Sequence, residues 1–227
     1  MRIDIDQSIP EATGYRDVRV KSLFNVDAGQ GERFRATFDL TDVWDEPWSI
    51  GLVVGPSGSG KSSIGRELGE HGWRLWEKIR WPHDKSIVEA IGRREEFDLV
   101  TNSLAQVGLG TVPSWLRPYH VLSNGEQFRA ELARVLVEKP GRVVIDEFTS
   151  VVDRQIAQIG AMAFGKAWRR TGGQAVLLTC HYDVIEWLQP DWVLDTRTGL
   201  VTTKECLQPA SYDPVNDRRG VVGILEA

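Results

Sequence analysis

Cysteine is nearly absent from this chain of 227 residues: Cys180 and Cys206 are the only two. Such a pair builds no disulfide framework, so a reducing cytoplasm is the expected setting. Two cysteines and four scattered histidines show no ligand spacing, which excludes a structural zinc module. Long apolar runs are missing as well. None approaches the roughly 18–20 residues of a membrane span, and the opening MRIDIDQSIPEATGYRD lacks the apolar core of a secretory signal. If the protein works at a membrane, another chain must do the spanning. Positive charge is not in excess either: a formal net charge of −5 argues against a uniformly basic nucleic-acid binder. Two local basic groups remain, one of Arg74, Lys78, Arg80 and Lys85, the other of Lys166, Arg169 and Arg170. Each reads equally as a solvated helix face.

Tryptophan is plentiful, with nine in the chain, and most are expected to pack in a core or lobe. The length suits one large domain. Arg16–Phe24 and Arg33–Leu40 alternate like strands about a Gly-containing turn at Asp27–Gly31. Ser49–Val54 is a short apolar strand followed by a helix over Ser63–Glu70. Pro82 and Asp84 start a helical stretch with Ile87, Val88 and Ile91 on one face. Further helices are expected over Thr101–Leu109, Glu126–Glu138 and Gln155–Arg170. Strands are expected over Arg142–Ile145 and Gln174–Thr179, with a terminal hairpin formed by Trp192–Leu194 and Leu200–Thr203. Strands alternating with helices point to an α/β fold with a mostly parallel central sheet.

Between the Ser49–Val54 strand and its helix lies Gly55-Pro56-Ser57-Gly58-Ser59-Gly60-Lys61-Ser62, a full G-x-x-x-x-G-K-[ST] phosphate-binding loop. Its glycines let backbone N–H groups turn toward phosphate oxygens, and the helix N-terminus adds partial positive charge. Lys61 is expected to bridge the β- and γ-phosphates of ATP, the Ser62 hydroxyl to ligate Mg²⁺, and Ser63 to complete the site. Val143-Val144-Ile145-Asp146-Glu147 delivers two acids at a strand's C-terminal edge, where open α/β sheets bind ligands. Asp146 is expected to hold the metal, and Glu147 to orient or deprotonate the attacking nucleophile.

Leu122-Ser123-Asn124-Gly125-Glu126-Gln127 resembles the LSGGQ signature of ATP-binding-cassette (ABC) proteins, with Asn124 for the first glycine and Glu126 inserted before Gln127. A left-handed backbone, which Asn tolerates, would make the first change mild. Thr149–Asp153 is similar to the family's D-loop, and Thr179-Cys180-His181-Tyr182-Asp183 to its switch-histidine segment. The five motifs run in family order over roughly residues 15 to 203. The resemblance implies an ABC-type P-loop domain over residues 1–207, with a reduced antiparallel β lobe, a small helical lobe at about 82–122, and a tail at 208–227. It implies a homodimer with ATP sandwiched between subunits. Ser123, Asn124 and Gly125 would then act in trans, Gln127 and Asp153 would join the nucleotide site, and His181 would contact the γ-phosphate. Phe24 either stacks on adenine or packs in the core.

The chain also departs from transporter members. Lys61 to Pro82 is short, and Arg80-Trp81-Pro82 stands where the Q-loop glutamine should be; Gln106 lies in the helix ahead of the signature. Trp115-Leu116-Arg117-Pro118 and Phe148–Asp153 are similar to small stand-alone cassette ATPases of microbes and phages. Some of these carry an acetyltransferase-like domain, for which the chain ends too early. The leading expectation is therefore a non-transporter ATPase that passes dimer closure to a partner, possible partners being DNA or a DNA-modifying protein. One alternative is a phage-type kinase acting on hydroxymethylated pyrimidines, with the Arg- and Trp-rich stretch Trp73–Trp81 meeting DNA. The other is the ATPase subunit of a membrane transporter.

Overall fold

Burial of period two organises the central sheet. In β3 (Ile50–Val54), Ile50, Leu52 and Val54 enter one apolar cluster and Val53 enters another on the opposite face. The same split recurs in β5 (Arg142–Ile145), where Val143 and Ile145 oppose Val144. In β6 (Gln174–Thr179), Ala175 and Leu177 oppose Val176 and Leu178. Strands with apolar residues on both faces are those covered on both sides, as a parallel sheet requires. The computed structural model describes residues 1–8, 12–25, 33–76 and 80–207. The expected turn at Asp27–Gly31 and the tail from Gln208 fall outside them.

In chain order the elements begin with β1 (Arg2–Ser8), α1 (Tyr15–Phe24), β2 (Arg33–Asp39) and α2 (Thr41–Trp44). After β3 come α3 (Lys61–Glu70), β4 (Arg74–Trp76), α4 (Ile87–Ala90), α5 (Phe97–Gln106), α6 (Val112–Trp115) and α7 (Asn124–Glu138). Beyond β5 are α8 (Arg154–Trp168), β6, α9 (Val184–Leu188), β7 (Trp192–Asp195), β8 (Leu200–Thr203) and α10 (Lys204–Leu207). The main sheet has the order β4-β5-β6-β3-β7-β8, parallel except for the antiparallel β7–β8 hairpin. β1 and β2 form a separate antiparallel pair, the whole of the β lobe among the described residues.

One face of the main sheet packs on the long α7 and α8, through Phe128, Phe148, Phe164 and Trp168. The other face meets α3 and the inward side of the β lobe, Ile3, Ile5 and Phe38. Trp44, Trp48, Trp73 and Trp192 pack together there, with Trp48 and Trp73 stacked at 5.7 Å. Gly51 is needed beneath them, because a Cβ would lie 2.0 Å from Trp192 Cζ2.

Two expectations need correction. Tyr15–Phe24 is a helix, not a strand. Asp17 Oδ2 accepts the Gly14 N–H at 2.8 Å, closing the first turn in the manner of a capping box. None of the helix's ten residues is buried, so the Val18/Val20 alternation reports no packing face. The strand that pairs with Arg33–Asp39 is instead Arg2–Ser8.

Candidate functional site

The loop from Gly55 to Ser62 joins the C-terminal end of β3, at the centre of the sheet, to the N-terminus of α3. Gly55 lies against Thr196, whose Oγ1 would be 2.0 Å from an added Cβ. The Thr196 hydroxyl donates to Val54 O at 3.0 Å and sits 2.6 Å from Ser59 Oγ, tying the loop to the end of β7. Gly60 has φ of +90° and caps α3; a side chain there would meet the Phe34 ring at 2.9 Å. Lys61 Nζ donates to the carbonyls of Gly55 at 2.8 Å and Pro56 at 2.7 Å, which holds the ammonium across the loop.

This loop borders a cavity of about 580 Å³ that Asp146 and Glu147 also line. Both acids are exposed at the C-terminal end of β5, as expected. Asp146 Oδ1 accepts the Glu147 N–H at 2.8 Å, and Glu147 has φ of +50°, an uncommon conformation for a residue with a side chain. Thr149 shares that conformation at +69°, is buried, and has no partner for its Oγ1. Strain of this kind persists only where its surroundings enforce it. Here the Phe148 N–H bonds Leu178 O at 2.8 Å and the Ser150 N–H bonds Glu147 O at 3.0 Å. Amides and an ammonium on one wall and carboxylates on the other suit a polyphosphate paired with a divalent cation. Among the loop residues Ser62 is exposed, whereas Ser63 Oγ accepts from Gln7 Nε2 at 2.9 Å and Arg66 Nη2 at 3.1 Å.

The remaining expected residues do not line this cavity. Ser123 caps α7, and Glu126 answers it reciprocally: its carboxylate accepts from Ser123 N at 2.9 Å, Ser123 Oγ at 2.8 Å and Ser114 Oγ at 2.6 Å. Those bonds, Ser114 first, hold the Glu126 carboxyl down to about 2. Glu126 is therefore the N3 residue of a capping box, part of the helix rather than an insertion. Asn124 is the first residue of α7 and has no positive φ, so no left-handed tolerance is required of it. Gly125 packs on Ile156, whose Cδ1 would be 2.5 Å from a Cβ. The Gln127 amide donates to Tyr119 O and Leu122 O at 3.2 and 3.1 Å. Asp153 caps α8, accepting from the Gln155 and Ile156 amides at 3.1 and 3.0 Å. His181 follows β6 and is half-buried; burial, then Arg154, lowers its pKa, while Asp183 pulls it up. Phe24 is 72% exposed on α1 and packs in no core.

Sequence reasoning missed Gln7 and Phe34, which line the cavity beside the loop, as do Thr179 and Cys180 of the switch-histidine segment. The alternation of Arg33–Leu40 held the signal for Phe34; nothing in the sequence marked Gln7. The Trp73–Trp81 stretch is not the free stacking platform that a base would need. Trp73 and Trp76 are buried, and Trp81 stacks on Tyr119 at 4.5 Å.

The chain is 30% identical over 203 residues to the aliphatic sulfonates import ATP-binding protein SsuB 2 of Paracoccus denitrificans, covering 81% of this chain and 79% of that protein. This chain is an ATP-binding-cassette ATPase. A second cassette relative, the cytochrome c biogenesis ATP-binding export protein CcmA of Pseudomonas fluorescens, is 30% identical over 65% of this chain and 83% of its own length. No family model matches the chain. Among solved structures, the cassette fold is shared with the dimeric post-hydrolysis state of MJ0796 bound to ADP and Pi. That similarity has a TM-score of 0.54 and 16% identity, covering 70% of this chain and 87% of that one. The cassette binds ATP with Mg²⁺. No helix among the described residues is long and apolar enough to cross a membrane.

Proposed function

We propose that this cassette is the energising ATPase of a membrane transport system, working as a head-to-tail pair with a membrane-spanning partner. The observation that carries this reading is the relation to ATP-binding proteins named for import and export, which spans four fifths of their length. In each site the amides of Gly55 to Ser62, with Lys61, hold the phosphates, and Ser62 and Asp146 hold the metal. Bound Mg²⁺ supplies neutralisation of phosphate charge. Glu147 orients the attacking water and takes its proton. Ser123, Asn124 and Gly125 reach the γ-phosphate of the opposite copy through a hydroxyl, amides and a helix N-terminus, and His181 contacts it from its own side. Phe34, beside Gly60, is a better candidate than Phe24 for contact with the base.

The pairing is tested with Glu147→Gln, which keeps the fold and removes the base. Its mass in solution is expected to double at saturating Mg·ATP; a variant that stays monomeric ends the sandwich model. The transport assignment predicts a specific membrane-spanning partner whose addition changes the phosphate-release rate.

A second reading, a stand-alone ATPase with a non-membrane partner, is favoured by one observation. Where transporter cassettes place the Q-loop glutamine, this chain has Arg80-Trp81-Pro82, and the Trp81 indole is bonded to Glu131 at 2.7 Å. If activity is complete and unchanged with membrane partners absent, this second reading replaces the first.

A further inference from the structure

Two of the three tryptophans in the Arg- and Trp-rich stretch, Trp76 and Trp81, converge on one carboxylate. Glu131 stands in the middle of α7, the helix that Ser123 caps. Its carboxylate accepts from Trp81 Nε1 at 2.7 Å and Trp76 Nε1 at 3.3 Å, and Tyr119 lies beside it, stacked on Trp81. These three side chains come from three places. Trp76 ends β4, the edge strand of the main sheet; Trp81 enters the helical region; Tyr119 opens the short 3₁₀ turn that leads into Ser123. Trp81 and Tyr119 are parallel within 4° at 4.5 Å, and the Arg134 guanidinium lies 4.8 Å from the Trp81 ring.

Glu131, Trp76 and Tyr119 border a cleft of about 450 Å³ that Asp146 and Glu147 also line. Glu131 thus links the signature helix to the sheet beside the acids that face the phosphate-binding loop. A surface carboxylate would gain little from such bonds. Glu131 is largely withdrawn from water, and burial pushes its carboxyl upward against the pull of the Trp81 and Trp76 indoles. Hydrogen bonds to a buried charged group are among the stronger ones, and removing the acceptor leaves indole N–H groups unsatisfied.

We infer that Glu131 is a positioning residue for ATP hydrolysis, fixing the signature helix against the main sheet through the indoles of Trp76 and Trp81, the second of them stacked on Tyr119. It does not touch the nucleotide; it sets the angle at which Ser123 is presented to the opposite copy. The inference rests on the cassette pair proposed above.

The test compares Glu131→Ala, Glu131→Gln and Trp81→Phe with the unaltered chain. Two indole N–H resonances, those of Trp76 and Trp81, are expected to move in Glu131→Ala. Nucleotide affinity should stay within about twofold, while kcat falls about tenfold or more. Glu131→Gln keeps an acceptor oxygen and should recover most of the rate. Trp81→Phe keeps the ring on Tyr119 but loses one donor, so it should lower kcat while the protein stays fully folded at the assay temperature. If Glu131→Ala fails to fold, Trp81→Phe alone decides. Turnover equal to the unaltered chain in Trp81→Phe, with the indole resonance gone, overturns the inference. An unaltered chain that pairs around ATP without releasing phosphate overturns it as well. Failure of the pair itself is read separately, from the mass of Glu147→Gln.

Discussion

Glu126→Ala removes the acceptor of three hydrogen bonds, two from Ser123 and one from Ser114. The drop of the carboxyl from 4.5 to about 2 corresponds to about 3 kcal/mol at ~1.4 kcal/mol per pKa unit. Because Glu126 remains accessible to solvent, screening reduces this to about 1–2 kcal/mol, which is also the usual range for a lost helix cap. In a domain of this size that loss lowers the melting temperature by roughly 2–8 °C. The pH dependence has a definite sign. The folded pKa lies below the unfolded one, so the contribution is complete above about 4.5 and fades as the pH falls toward 2. Urea unfolding of both proteins at pH 7, 5 and 3.5 measures the gap. A gap of zero at pH 7 refutes the capping argument, and one that does not narrow by pH 3.5 refutes the electrostatic part. Glu126→Gln, which keeps an oxygen acceptor without charge, should fall between the two.

Lys61→Ala is expected to weaken nucleotide binding at least tenfold by calorimetry; undiminished affinity would show that the loop is not the phosphate site. Gly51→Ala forces a Cβ to 2.0 Å from Trp192 Cζ2 and should destabilise the fold by about 1–3 kcal/mol through overpacking, read from denaturant midpoints. Arg154→Ala removes a charge that lowers the His181 pKa and leaves Asp183 to raise it. If neutral His181 is the active form, the acid limb of the phosphate-release profile, below 6.5 in the unaltered chain, moves to higher pH in the variant. An acid limb that stays put or moves lower removes His181 from the acid titration.

The central sheet was legible because its strands are short, apolar and bounded by loops with their own chemistry. Arg142–Ile145 and Gln174–Thr179 could be placed to the residue. Period-two reasoning failed on α1 because it presumes a buried face, and that helix has none. It passed over β1, where Ile3 and Ile5 do alternate, because charged residues surround them and the partner strand is about 30 positions away. The loop and the two acids could be found from local spacing alone. Gln7, Thr196 and Glu131 could not, since each acts through a neighbour distant in sequence, and the alternation of Arg33–Leu40 marked Phe34 only as a strand residue.

Lys61 spends both of its observed bonds on carbonyls of its own loop. The ammonium keeps a third N–H for an anion, so a single sulfate or inorganic phosphate meets it through one bond while the two carbonyl contacts stand. A longer phosphate chain can also meet several amides along the loop at once. A preference for linked phosphates over a single one is the consequence expected of that backbone, before any base is recognised.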